Sequence, residues 1–272
     1  MQGFIFLDMI DIHRFKKDCI AVRMQSPLVH NITNYVAMNI TANVLLAAGA
    51  SSLMSFCQEE MDEIVSISSV LVINIGCLDR EEIAGMRVAA SAALKYGKPW
   101  VLDPVGAGAS RLRTDTALSL ISDYHPTIIR GNASEIMCIA GLAVATKGVD
   151  STASSTDAVD SAKALALATG AIVSVSGATD YITDGQTVET IANGNPLMGR
   201  ITAMGCCASA LCGAFAAVDS DAFAAAVNAM AVMGVAGDMA AEGATGSGSF
   251  QQRFLDALST FDAEKAADMI RQ

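Results

Sequence analysis

The chain has 272 residues, of which 52% are hydrophobic and 5% aromatic, and its formal net charge at pH 7 is -11. This length fits a single α/β domain over residues 1–272, because no stretch of linker composition divides the chain. The negative charge argues against a general nucleic-acid or anionic-membrane surface, although a phosphate ligand needs only local donors. The seven cysteines show no metal-binding spacing and the start is too short and acidic for a secretory signal, so reduced thiols in a cytoplasmic protein are expected.

Strands and helices are predicted to alternate along the chain. An amphipathic helix over residues 1–23 comes first. Buried strands are then predicted over residues 27–34, 50–55, 70–75, 99–103, 127–130 and 171–176. Helices are predicted over residues 35–48, 59–69, 80–96 and 114–122, from about residue 131, and over 158–169. The Gly/Ser/Thr-rich residues 148–156 indicate a surface loop between two of these helices.

The last third of the chain has a different pattern. The Asp184-Gly185 pair lies between two arms rich in β-forming residues, which predicts a hairpin over residues 180–191. Two uncharged helical runs follow, at residues 203–218 and 222–237. Each is shorter than the roughly 20 residues that span a bilayer, so buried helices of a soluble protein are expected. A final helix is predicted from Phe250 onward.

This order of elements predicts a mostly parallel central sheet covered by helices on both faces. Ligands of such sheets bind beyond the carboxyl ends of the strands. Polar residues and one glycine follow the predicted strands at those ends: Asn31, Asn34, Gly76, Asp103, Arg130, Asn132, Glu135 and Ser176. A binding site is therefore expected at that edge of the sheet.

Residues 201–210 have the composition of an anion-binding loop and helix start. Small residues come first and an uncharged run rich in Ala and Cys follows, so backbone N–H groups can face a phosphate. Neither a P-loop nor a dinucleotide fingerprint is present, so phosphate binding would depend on residues 202–206. Cys206 is expected to have some thiolate character, because the helix dipole favours the charged form. A buried small-residue helix packed on a neighbour is the alternative.

Four further positions have both a chemical and a structural interpretation. Asp103 ends a strand beside Pro104 and could hold Mg²⁺ through water, or simply form a turn. Glu135 could hold a metal ion over a phosphate, or cap a helix together with Asn132. Arg130 could clamp a phosphate or form an exposed salt bridge. Ser176 could touch a nucleotide phosphate or only end its strand.

Five blocks of sequence occur together in a characteristic order, at residues 27–34, 74–76, 102–108, 129–135 and 202–206. From about Ser26 to Leu258 they resemble the hydroxyethylthiazole kinase family. The resemblance implies a ribokinase-like three-layer sandwich and transfer of the ATP γ-phosphoryl group to 4-methyl-5-(2-hydroxyethyl)thiazole, a thiamine-salvage step. It also implies Mg²⁺ dependence and a homotrimer with the thiazole site between subunits. Residues 1–20 lie outside the resemblance and receive no role.

The resemblance also assigns residues position by position. The thiazole is placed at Asn34, Val36, Met54, Gly76 and Ala203. ATP contacts are placed at Arg130, Ser176, Thr202 and Gly205. Metal and phosphate handling are placed at Asp103 and Glu135. Cys206 takes the position of an aspartate base in related sugar kinases, and Ala203 stands where the family often has glycine.

These assignments suggest how the reaction would proceed. The substrate hydroxyl would lie near Cys206, in line with the γ-phosphate, while backbone N–H groups of residues 203–206 hold the transferring oxygens. A strong base is not required, because phosphoryl transfer depends mainly on positioning and charge neutralisation. Two alternatives stay open: a related kinase of this fold acting on a pyrimidine, pyridoxal or sugar alcohol, and a non-catalytic binder of thiazole or nucleotide.

Overall fold

The computed structural model describes residues 10–143 and 155–272, and the predicted alternation of strands and helices is present up to residue 176. The strands are β1 (Leu28–Ile32), β2 (Ser51–Met54), β3 (Val70–Asn74), β4 (Trp100–Asp103), β5 (Ile128–Asn132), β6 (Ile172–Ser176), β7 (Asp180–Thr183) and β8 (Val188–Ile191). The helices are α1 (Ile12–Gln25), α2 (Met38–Ala48), α3 (Met61–Ile67), α4 (Arg80–Tyr96), α5 (Arg111–Tyr124), α6 (Ala133–Ala143), α7 (Ser155–Thr169), α8 (Met204–Ala216), α9 (Ala222–Ala241), α10 (Ser247–Ser259) and α11 (Ala263–Ala267). Residues 1–9 of the predicted first helix and 148–154 of the predicted loop lie outside the described residues.

The strands form one eight-stranded sheet in the order β2-β1-β3-β4-β5-β6-β7-β8. Strands β1 to β6 are parallel, and β7 and β8 add to the β6 edge as an antiparallel pair. The turn of this pair has Gly185 at φ 97°, and Asp184 Oδ1 accepts the N–H groups of Gln186 and Thr187 at 2.8 and 2.7 Å. The predicted hairpin is therefore present.

Helices cover both faces of the sheet. Alternate side chains of β3 show this, because Val70 and Val72 pack into one hydrophobic cluster and Leu71 and Ile73 into the other. The first cluster holds α1, α2 and α8 to α11, and the second holds α3 to α7. The three-layer α/β/α sandwich predicted from the sequence is confirmed.

The two uncharged runs lie in α8 and α9, and both helices are largely buried in the first layer. Helix α8 lies directly on the sheet, since a methyl group at Gly213 would be 2.7 Å from Val72 Cγ2. Among the described helices, α9 alone is long and apolar enough to cross a membrane, but 72% of its apolar window is buried inside the protein. The prediction of buried core helices is confirmed.

The largest departures from the predicted elements occur at chain turns. The helix predicted from residue 35 begins at Met38, because Asn34 Oδ1 accepts the N–H of Ala37 at 3.0 Å and holds residues 35–37 in a turn. The predicted final helix is followed by a short second one, α11. Beyond it the chain returns to the sheet, where Ala192 N donates to Arg271 O at 2.7 Å.

Candidate active site

The carboxyl ends of the parallel strands meet the start of α8 at one edge of the sheet. Asn74 lies at the centre of this edge and is only 2% exposed. Its Nδ2 donates to Asp103 Oδ2 at 2.7 Å and to Cys206 Sγ at 3.2 Å. Its Oδ1 accepts from Gly76 N at 2.9 Å and from Asn34 Nδ2 at 3.0 Å. The amide therefore uses both donors and both acceptor positions, and it joins four residues from four segments of the chain.

The sequence argument missed Asn74 as a site residue, although residues 74–76 form one of the family-like blocks. The role depends on strand register, because Asn74 is paired with Asp103 across β3 and β4. The only signal in the sequence is an amide at the end of a buried strand.

Asp103 is buried at the end of β4, where Oδ2 accepts hydrogen bonds from Asn74 and from Ser209 Oγ at 2.8 Å. No described side chain or backbone group donates to its Oδ1. Burial raises the pKa of the Asp103 carboxyl, and Arg130, Ser209 and Asn74 oppose this only in part. The hydrogen bond from Ser209 therefore links the Asp103 carboxylate to α8, the helix that begins at the anion loop. Ser209 was not among the site residues predicted from the sequence.

Cys206 is the third residue of α8, and its Sγ accepts from the amides of Asn74 and Asn34, the latter at 3.4 Å. Burial and the nearby Asp103 raise the pKa of this thiol to about 11, against opposing contributions from the two amides and Arg130. The expected thiolate character is wrong, because desolvation and a neighbouring carboxylate outweigh the helix dipole. Cys206 is a neutral thiol near neutral pH. Its neighbour Cys207 is buried in the core, as expected.

The loop before α8 has an unusual backbone. Ala203, the N-cap, has φ 63° and ψ 11°, a left-handed conformation that L-residues other than glycine adopt at a cost. Its side chain cannot cap the helix, and N–H groups in a first helical turn have no intrahelical acceptor. Thr202 is exposed beside them. The segment thus has the backbone donors that the sequence predicted for an anion.

Arg130, in the middle of β5, has its guanidinium next to this loop at Gly205. It is only 7% exposed, and its Nε has no hydrogen-bond partner among the described residues. A methyl group at Gly205 would lie 2.7 Å from Arg130 Nη1, so an alanine there would force the end of the arginine side chain to move. Arg130 is not the exposed salt-bridge residue of the alternative interpretation. Its buried, unpaired guanidinium is suited to an anionic ligand.

Arg130 and Gly205 line a cavity of about 570 Å³, and Cys206 is not among its lining residues. Ser176 and six of the residues 193–199 also line it, with Met230 and Met233 as apolar lining residues. Asp180, missed by the sequence argument, lies in the same cavity, and its Oδ1 accepts from Gly177 N at 3.0 Å. Burial raises the pKa of Asp180 to about 6.

Of the two interpretations of Glu135 in the sequence, metal binding and helix capping with Asn132, the helix cap is present in the structure. Its Oε2 accepts from Asn132 N at 2.9 Å, and Asn132 Oδ1 accepts from Glu135 N at 3.0 Å. Oε1 accepts from Gly106 N at 2.8 Å, so Glu135 also fixes the loop after β4. Both oxygens are therefore engaged with backbone.

Arg113 performs a similar task on the other side of that loop and was also missed. Its guanidinium donates to the carbonyls of Ile75 and Gly76 at 2.7 and 2.9 Å, and to Val105 O at 2.9 Å. One side chain thus holds the exits of β3 and β4 together.

The residues assigned to the thiazole fall into two groups. Asn34 and Gly76 are in contact beside Cys206, since a methyl group at Gly76 would lie 2.7 Å from Asn34 Nδ2. Val36 is 66% exposed, and Met54 ends the edge strand β2, paired with Asn31. Beside them the exposed rings of Tyr35 and Phe56 meet edge to face, with centroids 6.0 Å apart. Ala203 belongs to the anion loop instead.

Comparison with known proteins gives a consistent result. The model of the "Hydroxyethylthiazole kinase family" matches residues 20–264. A hydroxyethylthiazole kinase of Leptospira biflexa is 53% identical over 248 residues, which are 91% of this chain and 93% of that protein. The structure of a hydroxyethylthiazole kinase from Pyrococcus horikoshii OT3 superposes with a TM-score of 0.88 at 36% identity, covering 95% of this chain and 98% of the other. A ribokinase-like superfamily protein from Enterococcus faecalis shares the fold, with a TM-score of 0.66 at 14% identity and coverage of 98% and 97%.

Proposed function

Since the chain belongs to the hydroxyethylthiazole kinase family and has the ribokinase-like fold, it is an ATP-dependent kinase of thiamine salvage, and we propose where it binds ATP and the thiazole. The 570 Å³ cavity holds ATP, and the strand ends around Asn34, Gly76 and Cys206 hold the hydroxyethyl arm of the thiazole. The observation that supports this division is the position of Gly205, which contacts Arg130 in the cavity and precedes Cys206 at the strand ends.

The polar end of the cavity is proposed to bind the phosphates. Arg130, Ser176 and Gly205 line it, and Thr202 lies just before the start of α8. The other end is lined by Pro196, Met198, Met230 and Met233, a surface suited to a planar base. This orientation directs the γ-phosphate toward Cys206, which phosphoryl transfer to a hydroxyl held there requires.

Cys206 is proposed to mark the position of the substrate hydroxyl rather than to act as a base. A thiol of pKa about 11 does not accept a proton near neutral pH. The bond between the alcohol oxygen and the γ-phosphorus forms while the bond from that phosphorus to ADP breaks, and the hydroxyl proton leaves to a phosphoryl oxygen or to water, since the reaction needs little help from a base. The amides of Asn34 and Asn74 hold the sulfur in place at 3.4 and 3.2 Å.

Magnesium is proposed to arrive with ATP. Residues 10–143 and 155–272 contain no group of three or more His, Cys, Asp or Glu side chains that could hold a metal ion alone. Asp103, with Oδ1 free of described donors, fits an ion held mainly by phosphate oxygens and water. Such an ion would neutralise charge on the phosphates. Glu135, also assigned to metal and phosphate handling, is proposed to act by fixing the loop at Gly106.

A homotrimer is proposed because one side of the proposed thiazole site is open to solvent in the single chain. Val36, Tyr35 and Phe56 expose apolar surface next to Met54, at the free edge strand of the sheet. A second copy of the chain covering this surface would complete an enclosed pocket. A cytoplasmic location is proposed because the cysteines of the described residues are all free thiols.

The test of this function is ADP release with Mg²⁺-ATP and each of four alcohols: 4-methyl-5-(2-hydroxyethyl)thiazole, pyridoxal, hydroxymethylpyrimidine and ribose. Turnover confined to the thiazole is expected. Preferential turnover of another alcohol would favour a related kinase of this fold. Binding of the thiazole without turnover of any alcohol would favour a non-catalytic binder.

A further inference from the structure

We propose that Asp238 on α9, together with Arg271, is a positioning residue for the nucleotide. It fixes residues 193–199, called here the nucleotide wall, which form one side of the 570 Å³ cavity. The inference rests on the proposed function only in taking this cavity as the ATP site. None of these residues touches the transferred phosphoryl group in the arrangement proposed above.

The nucleotide wall depends on outside contacts for its shape. Six of its residues line the cavity: Asn193, Gly194, Asn195, Pro196, Met198 and Gly199. Its second half is ordered locally, because Asn195 Oδ1 accepts from Leu197 N at 3.0 Å at the start of a 3-10 turn over Pro196–Arg200. Its first half has Gly194 at φ 126° and no such turn. Contacts from elsewhere must hold that half.

Asp238 makes those contacts with both carboxylate oxygens. Oδ2 accepts from Asn193 Nδ2 at 2.7 Å, and Oδ1 accepts from Gly194 N at 3.2 Å. Asn193 is buried. Hydrogen bonds to a charged acceptor are stronger than those between neutral groups, so Asp238 is the main anchor of the first half of the wall.

Arg271 holds the other side of the same junction. Its guanidinium lies 3.0 Å from Asp238 Oδ2, and its backbone N donates to Asn193 Oδ1 at 2.6 Å. Asn193 Nδ2 also donates to Met269 O at 2.8 Å. Residues 269–271 therefore run beside the start of the wall. They lie beyond residue 264, where the family match ends.

Helix α9 has a sequence feature that permits this arrangement. A methyl group at Gly234 would lie 2.7 Å from Asn193 Cβ, and one at Gly237 would collide with Met198 Sδ. Gly234, Gly237 and Asp238 are spaced by three and four residues and so share one face of the helix. The two glycines let the wall lie on α9, and the aspartate anchors it there.

The consequence is a preorganised nucleotide site. Without its contacts to Asp238, the nucleotide wall would become ordered only when ATP binds. The conformational entropy lost in that step would reduce the affinity for ATP. The thiazole side at Asn34, Gly76 and Cys206 shares no hydrogen bond with Asp238. We expect Asp238→Asn to raise the KM for ATP about tenfold, with kcat and the KM for the thiazole nearly unchanged.

The experiment measures binding of a fluorescent ADP analogue, steady-state kinetics and thermal unfolding for three full-length variants. Asp238→Asn keeps the side-chain shape but removes the charge. Arg271→Gln weakens the same junction and serves as a second probe if Asp238→Asn does not fold. Asp219→Asn is the matched control, because it breaks an Arg–Asp pair with Arg14 at 2.6 Å in the same helical layer, away from the cavity.

The expected result is weaker ADP binding in Asp238→Asn and, to a smaller extent, in Arg271→Gln, with wild-type affinity in Asp219→Asn. Wild-type ADP affinity in folded Asp238→Asn, or an equal loss in Asp219→Asn, would overturn the inference. Failure of the proposed function has a different signature, since the wild-type protein would then bind ADP without phosphorylating the thiazole. A wild-type protein that does not bind ADP would overturn both.

Discussion

Two buried aspartate–asparagine pairs in this molecule look alike and sit in different surroundings. At the strand ends, Asp103 accepts from Asn74 at 2.7 Å, and in the helical layer Asp18 accepts from Asn228 at 2.8 Å. Both carboxyl groups are buried, and burial raises the pKa of each. Burial, an amide partner and a raised pKa are therefore shared by both pairs.

The difference lies in where the remaining contacts lead. Asp18 adjoins Asp219, which pairs with Arg14 and joins α1 to the start of α9. Asp103 adjoins Ser209 and, through Asn74, the sulfur of Cys206, which directly follows Gly205, a lining residue of the 570 Å³ cavity. A perturbed carboxyl group thus indicates a functional site only when its neighbours open onto a ligand.

The largest expected effect is on kcat, and it distinguishes the carboxylate of Asp103 from that of Asp18. Asp103→Asn removes the carboxylate oxygen that is proposed to hold Mg²⁺ against the ATP phosphates, so kcat is expected to fall on the order of 10²–10³-fold. Asp18→Asn, the matched change in the helical layer, is expected to leave kcat within about twofold. Phosphorylation assays on both purified variants measure this, and equal losses of kcat would contradict the distinction.

A second prediction concerns the junction between cavity and strand ends. Gly205→Ala places a methyl group 2.7 Å from Arg130 Nη1 and must displace the guanidinium. The KM for ATP is expected to rise roughly tenfold or more, since a charged hydrogen-bond donor is lost. Gly248→Ala is the control, because nothing lies within 4 Å of its added methyl group. An unchanged KM in Gly205→Ala would mean that Arg130 does not contact ATP.

Substitutions at Cys206 test whether this residue positions the hydroxyl or acts as a base. Cys206→Ser is expected to be slower but active, and Cys206→Asp to remain active, because the Nδ2 groups of Asn34 and Asn74 can donate to a carboxylate. With a thiol pKa of about 11, the wild-type rate should show no rise from Cys206 deprotonation between about pH 6 and 9. An unfolded, inactive Cys206→Asp would contradict this placement.

The smallest expected effect is on stability, at the other pair. The pKa of Asp18 is raised to about 6 from its ordinary value of 3.8, so the folded state holds this proton more tightly than the unfolded chain. The resulting stability is present below pH 3.8 and is lost as the pH rises through about 6. Asp18→Asn should therefore raise Tm relative to wild type at neutral pH, and less at about pH 4. A Tm difference independent of pH would show that Asp18 does not titrate as described.

Local signals in the sequence were sufficient for the architecture. Helix α4 has the predicted bounds, because Asp79 caps its first turn at Glu82 N and Gly97 takes φ 62° at its end. The uncharged runs at residues 203–218 and 222–237 predicted the burial of α8 and of most of α9, and polar residues after apolar strands predicted the edge that carries the candidate site.

The contacts within the site depend on tertiary placement that no local signal contains. The role of Asn74 follows from its register with Asp103, and the neutral thiol of Cys206 follows from burial beside that carboxylate. Asp180 reaches the cavity through a turn held by Gly177 N, and Arg271 meets Asn193 across 78 residues. Such pairings arise only when distant segments pack together.

The most direct test of the central claim compares the two amides. Asn74→Ser and Asn228→Ser each remove the amide that donates to a buried aspartate, and kcat and Tm are measured for both. Asn74→Ser is predicted to lose about 100-fold in kcat as well as Tm, because its four buried partners lose their hydrogen bonds, whereas Asn228→Ser is predicted to lose Tm with kcat within about twofold. Wild-type kcat in Asn74→Ser, or an equal loss of kcat in Asn228→Ser, would contradict the account.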